Sequence, residues 1–260
     1  MGEKRPLVFL SAVRAETMAL RAGLASIHPV KNGASDDAGT LETATLSLVR
    51  EARAIFLAQC GPGPERAARA TRRIARLPGK PVLIVVAFAG GLRPDLAEGD
   101  VVVCDEALGE GRSEGIKADP ELADAVEFAL TAGALPLRRG PSLTVPRIAG
   151  ASAKQTFSRD VPRALVVGME DLGVAQAAAE AKLPWVAVRV VLDPLEQDVP
   201  QAVLDCVGPD GNTRVSAAAL GFFSKPSAFI QLGRAAARVG DRIAEVVRVI
   251  TTRMHLEVPA

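Results

Sequence analysis

The segment 164–193 constrains the fold of this chain more than any other part of it. It contains two unbroken apolar runs, residues 164–168 and Trp185–Leu192, joined by an alanine-rich stretch with the length of a short helix. Such runs, alternating with helices, are typical of strands in a sheet that helices cover on both faces. Glu170 follows the first run and Asp193 ends the second. We therefore expect both carboxylates at the sheet edge where ligands bind in open α/β sheets.

The length and charge of the chain narrow the class of protein. Its 260 residues, 48% of them hydrophobic, are enough for one large α/β domain or two small ones. The formal net charge of +1 gives no basic field that would favour nucleic acid as a partner. Cys60, Cys104 and Cys206 form no CxxC pair, and His28 and His255 are isolated, so neither disulfides nor a metal site is indicated. Because no apolar run reaches the ~20 residues of a bilayer span, we expect a cytoplasmic location.

Strands and helices alternate along most of the chain. Apolar runs predict further strands at Pro6–Ala12, Ala54–Gln59, Pro81–Phe88, Asp100–Cys104 and Leu137–Val145. Helices are predicted over 17–24, 65–77, Asp119–Ala132 and Ala151–Arg159. The segment Val30–Ala44 is compatible with short edge strands. We expect a single α/β domain over residues 1–260, with a core over about 6–205 and a helical C-terminal extension over about 212–256.

Two strand-to-helix turns carry groups that could contact a ligand. Glu16 falls in the first turn of a helix, where the helix dipole alone would favour a carboxylate and a role in a site is the alternative. The segment Gly61-Pro62-Gly63-Pro64 places backbone N–H groups at a helix start, which suits phosphate or a ribose hydroxyl. Tight turns use the same residues, and the segment is not the GxGxxG fingerprint of dinucleotide binding.

Two longer motifs resemble the nucleoside phosphorylase and nucleosidase superfamily. AFAGGLRPDLAEGDVVVCDEAL (residues 87–108) is similar to the superfamily's AGGL…GD…DEA stretch, and VGMEDLGVAQAAAEAKLPWVAVRVVLDP (residues 167–194) to its ME…A…P…VR…SD stretch. With Glu16 and Gly61, the resemblance covers roughly residues 6–194. It implies a three-layer α/β/α phosphorylase-like fold with a central mixed, mostly parallel sheet, no cofactor, and a homodimer.

A narrower resemblance is to the hopanoid-associated phosphorylases. It rests on the Asp-Pro after the last strand, the Pro-Asp-Gly near residue 210 and the basic, apolar tail. This branch implies removal of adenine from adenosylhopane, so that the expected partner is a purine nucleoside or a lipid-linked nucleoside.

The superfamily resemblance also implies roles for individual residues. Glycosidic cleavage passes through an oxocarbenium-like state, and a carboxylic acid can protonate the departing base. Asp193 matches that acid, Glu170 the residue that holds the ribose 2′- and 3′-hydroxyls, Met169 the residue against the ribose face, and Glu16 the carboxylate that activates water. Further substrate contacts are implied for Gly168, Ala89, Gly90 and Ile148, and a phosphate or water site for Gly61, Gly63 and Arg14.

Structural explanations compete with these roles. Asp193 before Pro194 also fits a helix N-cap with proline at the first helical position. Glu170 and Asp171 fit first-turn acids of the next helix, and we assign Asp171 a structural role. Met169 also fits core packing. For Gly90, close packing without a ligand is the alternative. The functional interpretation requires Glu170 and Asp193 to share one pocket, with neither buried against a basic partner.

The chain departs from the superfamily pattern at several positions. Gly168 stands where many relatives carry an acid, Leu192 where they often have a small hydroxyl residue, and Phe88 where they usually have Gly, Ser or Thr. Pro146-Arg147-Ile148 lies where the resemblance predicts the base-stacking loop, and it has no aromatic residue. These changes leave open a diverged substrate, or a nucleoside-binding protein without activity.

The nucleophile distinguishes hydrolysis from phosphorolysis. A phosphate dianion needs cationic partners, and Arg14 is the only arginine that the sequence places near the predicted site. Glu16 would repel phosphate and suits water. We expect hydrolysis, with phosphate as the alternative co-substrate.

The tail, residues 221–253, interleaves apolar and basic residues. This pattern is compatible with an amphipathic face that contacts a membrane or an extended lipid substrate. It favours a helix packed on the sheet or on a partner subunit.

Overall fold

The computed structural model describes residues 5–25, 35–36, 39–48, 51–198 and 226–254. Its strands are β1 (Leu7–Ser11), β2 (Ser35–Asp36), β3 (Gly39–Leu48), β4 (Glu51–Gln59), β5 (Val82–Gly91), β6 (Val101–Cys104), β7 (Glu106–Gly109), β8 (Ile116–Lys117), β9 (Leu137–Arg139), β10 (Ser142–Thr144), β11 (Val166–Gly168) and β12 (Trp185–Asp193). Its helices are α1 (Arg14–Ala25), α2 (Pro64–Ile74), α3 (Pro120–Ala132), α4 (Ala151–Asp160), α5 (Asp171–Ala181) and α6 (Pro226–Arg253).

Strand β5 is the centre of the sheet. The side chains of Val82–Ala87 are at most 1% exposed, as expected for a strand covered on both faces. One edge of β5 pairs in parallel with β12. The opposite edge pairs in parallel with β1 over residues 82–85 and antiparallel with β11 at Gly90 and Gly91. The carboxyl ends of β1 and β11 therefore face each other beside β5.

The sheet is mixed, and helices cover it. Of its eleven strand pairings among the described residues, six are parallel. Helix α6 packs on α1 and α3, and α2 packs on α5, which gives two helical layers. The three-layer fold with a mixed, slightly more parallel than antiparallel sheet and a C-terminal helix is confirmed.

Several element boundaries differ from the prediction. Strand β5 continues through Gly91, because both glycines are paired within the sheet. The predicted strand Leu137–Val145 is divided by Gly140-Pro141 into β9 and β10. Asp193 is the last residue of β12, and a turn without a helix occupies residues 194–198, so Asp193 is not a helix N-cap.

The C-terminal half of α6 belongs to the core. Ile243, Val246, Val247 and Ile250 are fully buried, as the packed-helix alternative requires, and these side chains are not available to a membrane. Residues 199–225, with Cys206 and the predicted contacts at 221–225, lie outside the described residues, as do His28 and His255. No described helix combines the length and hydropathy required to cross a bilayer.

Candidate active site

A cavity of about 280 Å³ opens between the carboxyl ends of β1 and β11. Three carboxylates, those of Glu16, Glu170 and Asp193, line a wall that is otherwise mostly apolar. The larger apolar contributors are Val13, Phe88, Val145, Ile148, Val167, Met169 and Leu192. The concave, apolar surface with a few converging polar groups has the form of a small-molecule site.

The gap between β1 and β11 explains why charged side chains reach the cavity. Phe88 of β5 has a strand partner only on the β12 side. The N–H of Phe88 donates to Oε1 of Glu16 at 2.8 Å instead of to a strand, and the Phe88 carbonyl accepts from Nη1 of Arg189 at 3.0 Å. Buried backbone groups require partners, and here two side chains take the place of a missing strand.

Glu16 is fixed by backbone donors. Its Oε2 accepts from the N–H groups of Ala12 and Val13 at 2.8 and 3.0 Å, across the turn from β1 to α1. The residue is 3% exposed. Burial, and then the charge of Glu170, raise the pKa of Glu16 to about 7, although the backbone hydrogen bonds oppose the increase. At neutral pH it can therefore gain or lose a proton.

A second group, which we call the arginine cluster, consists of Arg189 with Glu16, Glu170 and Asp171. Arg189 bonds Asp171 through Nε at 3.1 Å and Nη2 at 2.5 Å, and Glu170 through Nη2 at 3.1 Å. Burial alone would lower the pKa of Arg189, but the charges of Asp171, Glu170 and Glu16 raise it above its ordinary value. Asp171 does not line the cavity, in keeping with a structural role.

Asp193 forms what we call the lysine pair with Lys154 of α4. The Lys154 ammonium donates to Oδ2 of Asp193 at 2.6 Å. Lys154 is fully buried and Asp193 is 6% exposed. Burial raises the pKa of Asp193 to about 6, and the charge of Lys154 limits the increase. This carboxyl can therefore hold a proton near neutral pH.

A β-bulge aims Asp193 into the cavity. Val191 pairs with Ala89, and Asp193, two residues later, pairs with Gly90, so that Leu192 is the extra residue. A bulge turns the side chains that follow it relative to a regular strand. Gly90 also packs closely, since a Cβ there would lie 3.2 Å from Oδ2 of Asp193.

Most of the predicted site residues come together. Asp193, Glu16, Glu170, Met169, Gly168, Ala89, Gly90 and Ile148 all line the cavity. Glu170 and Asp193 meet there although β11 and β12 run in opposite directions along β5. The expectation that the two carboxylates end strands of one direction at a common sheet edge is therefore wrong for this pair.

The predicted phosphate or water site is not assembled in the same way. Arg14 is exposed, and neither it nor Gly61 or Gly63 lines the cavity. The N–H of Gly61 donates to the carbonyl of Ala12 at 3.0 Å, and the N–H of Gly63 donates to Oε1 of Glu170 at 3.3 Å. Within the described ranges no three His, Cys, Asp or Glu side chains are grouped to hold a metal ion.

The match to a protein-family model shows to which superfamily the chain belongs. The model described as the phosphorylase superfamily matches residues 6–219. The chain belongs to the phosphorylase superfamily. The superfamily predicted from the motifs is confirmed, and with it the prediction of an enzyme that cleaves a glycosidic bond.

Individual relatives within the superfamily are more distant. The futalosine hydrolase of Streptomyces coelicolor is 32% identical over 157 residues, which cover 54% of this chain and 67% of that protein. A 5′-methylthioadenosine/S-adenosylhomocysteine nucleosidase from Neisseria meningitidis, in complex with methylthio-immucillin-A, superposes with a TM-score of 0.64 at 21% identity, covering 94% of this chain and 99% of that one. The native futalosine hydrolase of Helicobacter pylori gives 0.67 at 15% identity, covering 94% and 97%. At these identities the two structures show the fold alone.

The condition that neither acid be buried against a basic partner is not met, because Glu170 is paired with Arg189 and Asp193 with Lys154. The condition was too strict. Both acids still line the one cavity, and burial keeps the pKa of Asp193 raised although Lys154 opposes the increase. Arg189 could have been found, because a charged residue within an apolar strand run needs a buried counter-ion. Lys154 carried no such signal, since it stands among polar residues of a predicted helix.

The arginine cluster accounts for one departure of this chain from other superfamily members. A Cβ at Gly168 would lie 3.1 Å from Cζ of Arg189, so the guanidinium occupies the space that a side chain at this position would need. Phe88 and Leu192 add apolar surface to the cavity. In the segment 146–148, which the resemblance predicts to stack on the base, Ile148 is 46% exposed and Arg147 also lines the cavity.

Proposed function

We propose that this protein hydrolyses the N-ribosyl bond of an adenine nucleoside or nucleoside conjugate. The observation that carries the proposal is the meeting of three buried carboxylates in one apolar cavity, two of them with a pKa raised to about 6 or 7. Perturbed carboxyls in a pocket are typical of acid–base catalysis. The superfamily and the futalosine hydrolase relative support the same reaction class.

Asp193 is the general acid of this proposal. As the C1′–N bond breaks, its electron pair passes to the purine, and the protonated carboxyl of Asp193 donates to a ring nitrogen of the departing base. Proton transfer of this kind contributes about 10²–10⁴-fold to the rate. A carboxyl with a pKa of about 6 is better suited to this than an exposed aspartate.

Glu170 and Met169 hold the ribose. Glu170 is bonded by the N–H groups of Gly63 and Met169, each at 3.3 Å, as well as by Arg189. The Gly63 and Met169 bonds are long, which leaves the carboxylate able to accept from the two ribose hydroxyls. Its negative charge also favours the cationic sugar of the transition state.

Glu16 activates the nucleophile. Its ionised form takes a proton from water as the water oxygen bonds C1′, so the products are the free base and the free sugar. Glu16 is ionised above a pH of about 7 and Asp193 is protonated below about 6. The active form has Glu16 ionised and Asp193 protonated. Its population falls at low pH, where Glu16 gains a proton, and at high pH, where Asp193 loses one, so it is most abundant between these two pKa values.

The charges of the cavity favour water over phosphate. Arg147 is the only cation among the described lining residues, and it is exposed. A phosphate dianion beside Glu16 and Glu170 would be repelled, and would lack the several donors that it requires.

The apolar lining supports an apolar 5′ substituent on the sugar. Phe88, Ile148 and Leu192 line the cavity, and burial of their surface on ligand binding is favourable. Adenosylhopane, to which the narrower resemblance points, and a substituted nucleoside such as 5′-methylthioadenosine are the candidates within this class.

Base release in phosphate-free buffer tests the proposal. Purified protein is offered adenosine, 5′-methylthioadenosine, futalosine and adenosylhopane, and release of the base is followed with and without added phosphate. We expect release without phosphate and faster turnover of the apolar 5′ conjugates. Dependence on phosphate would identify a phosphorylase. Binding without release from any of the four would identify a nucleoside-binding protein instead.

We also propose a cytoplasmic homodimer with peripheral membrane contact. Because Ile243, Val246, Val247 and Ile250 are buried, such contact would have to use other residues of 221–253. Sedimentation of the protein with and without anionic vesicles tests the homodimer and the membrane contact, and cell fractionation tests the location.

A further inference from the structure

Lys154 stands out among the buried polar groups because nothing in the sequence marks it. Its ammonium nitrogen lies within hydrogen-bond distance of four oxygens. They are Oδ2 of Asp193 at 2.6 Å and the carbonyls of Asp193, Pro194 and Gln197 at 3.1, 2.6 and 2.7 Å. The side chain is fully buried. One cation thus binds the carboxyl of Asp193 and the turn that follows it.

The surroundings of Lys154 consist of hydrogen-bond acceptors. An ammonium group has three donors and no acceptor, and acceptors surround this one. Three of the four are backbone carbonyls, so the turn after β12 encloses the lysine. A buried ion pair is weak evidence for stability, because desolvation opposes the attraction between the charges. The position of this pair at the cavity suggests a different role.

A second contact fixes α4, which carries Lys154, against the same turn. Oδ1 of Asp198 accepts from the N–H of Ala151, the first residue of α4, at 2.5 Å. Lys154 therefore bonds from α4 to the turn, and Asp198 bonds from the turn to the start of α4. The arrangement fixes the backbone from Asp193 onward, and with it the direction of the Asp193 side chain.

We propose that Lys154 is the positioning residue of Asp193. It holds Oδ2 and the backbone behind it, and so determines which oxygen faces the substrate and the pH range in which the acid works. This inference rests on the proposed function, in which Asp193 protonates the departing base. Lys154 itself does not touch the substrate.

The donor chemistry of the pair assigns the proton to one oxygen. Since Lys154 can only donate, Oδ2 must accept from it. The proton of the neutral acid is therefore on Oδ1, and Oδ1 is the atom that hands it to the base.

The charge of Lys154 also sets the working pH. Burial is the largest influence on the pKa of Asp193 and raises it. Of the charged groups, Lys154 from α4 lowers this pKa and Asp198 from the turn after β12 raises it. On the β5 and β11 side, Gly90 and Val167 bring no charge. Removing the lysine charge will therefore leave Asp193 protonated to a higher pH.

The test compares Lys154→Met with Lys154→Arg. In the methionine variant we expect the pKa of Asp193, and with it one limb of the kcat/KM profile, to rise by about one unit or more, the size of effect known for an opposite charge at this distance. The optimum should move to higher pH by about half as much, because Glu16 is unchanged. We expect kcat to fall more than KM changes, because the orientation of the acid is lost. The arginine variant keeps the charge and should retain the optimum of the unmodified protein with a lower kcat.

An unchanged optimum in Lys154→Met would overturn the proposal. If that variant does not fold, a shifted optimum in Lys154→Arg would do the same. Titration of the Asp193 carboxyl by carbon NMR separates this inference from the proposed function, because it needs no turnover. Its midpoint should rise in Lys154→Met even if no nucleoside is cleaved, and an equal midpoint in both proteins would contradict the role of Lys154.

Discussion

The arginine cluster and the lysine pair border the same cavity but differ in their balance of charge. Arg189 is alone among Glu16, Glu170 and Asp171. Lys154 faces the single carboxylate of Asp193 and three neutral carbonyls. With all groups ionised, the first region is negative and the second is neutral.

This difference matches the two halves of the proposed reaction. A negative region suits the cationic sugar of an oxocarbenium-like transition state. The lysine pair becomes positive when Asp193 is protonated, which suits a base that departs with negative charge. In the proposed reaction, the two cations therefore favour positive charge on the sugar beside the arginine cluster and negative charge on the base beside the lysine pair.

Exchanging the acid of the lysine pair should have the largest effect. The amide of Asp193→Asn can still accept a hydrogen bond from Lys154, but it has no carboxylic acid proton to donate to the base. We therefore expect base release to fall by about 10²–10⁴-fold. Asp171→Asn is the matched control, because Asp171 is also buried and paired but lies outside the cavity. It should lose stability and keep most of its activity. Equal activity loss in both variants would erase the distinction between the two regions.

Removing the cation of the arginine cluster should destabilise the fold more than removing Lys154. Arg189→Met leaves several buried carboxylates unpaired, and breaking a buried ion pair in this way costs about 3–5 kcal/mol. Unpaired carboxylates have a raised pKa in the folded state, so the lost stability should return as the pH falls. Urea denaturation of Arg189→Met and Lys154→Met in acidic and alkaline buffers measures this. A greater loss in Lys154→Met would reverse the ranking.

The pH dependence of kcat/KM reports both regions at once. Glu16 must be ionised and Asp193 protonated, so activity should form a narrow bell with limbs near the pKa values of about 6 and 7. Glu16→Gln should remove the requirement for an ionised base and so abolish the fall toward low pH in the residual activity. A broad plateau in the unmodified protein, extending well above neutral pH, would show that Asp193 does not act as the acid.

The smallest effects are expected from adding a single methyl group at a glycine beside each cation. A Cβ at Gly168 would lie 3.1 Å from Cζ of Arg189, and one at Gly90 would lie 3.0 Å from Cδ of Lys154. Overpacking of this kind costs about 1–3 kcal/mol, and only Gly90→Ala should also move the pH optimum, because it displaces the lysine pair. Gly240→Ala is the control. Its Cβ would meet Ala19 at an ordinary 3.8 Å, and the gain in helix propensity is up to about 1 kcal/mol. Thermal denaturation of the three alanine variants shows whether each substitution lowers or raises the stability of the fold.

Most of the fold could be predicted from residue patterns. The apolar runs of β1, β5 and β12 locate buried strands because a strand covered on both faces needs apolar side chains on both. The division at Gly140-Pro141 was missed because a strand of three residues has almost no pattern of its own. The assumption that β11 is parallel to β12 failed because local sequence does not record strand direction.

The candidate site was predicted less completely. Glu16, Glu170 and Asp193 were identified by their place after apolar runs and by the superfamily resemblance. Lys154 was not, because a buried lysine in an amphipathic helix has the same local pattern as an exposed one. The bulge at Leu192 also left no sign in the sequence, yet it determines the direction of Asp193.

By itself, the sequence determined the class of fold, the superfamily and the acids, because periodicity and residue type are local properties. Only the tertiary structure decided which cation balances each acid. Arg189 reaches back to residues 170 and 171, and Lys154 reaches forward to Asp193. These pairings depend on strand register and on helix docking, so the charge of each side of the cavity exists only once the chain has folded.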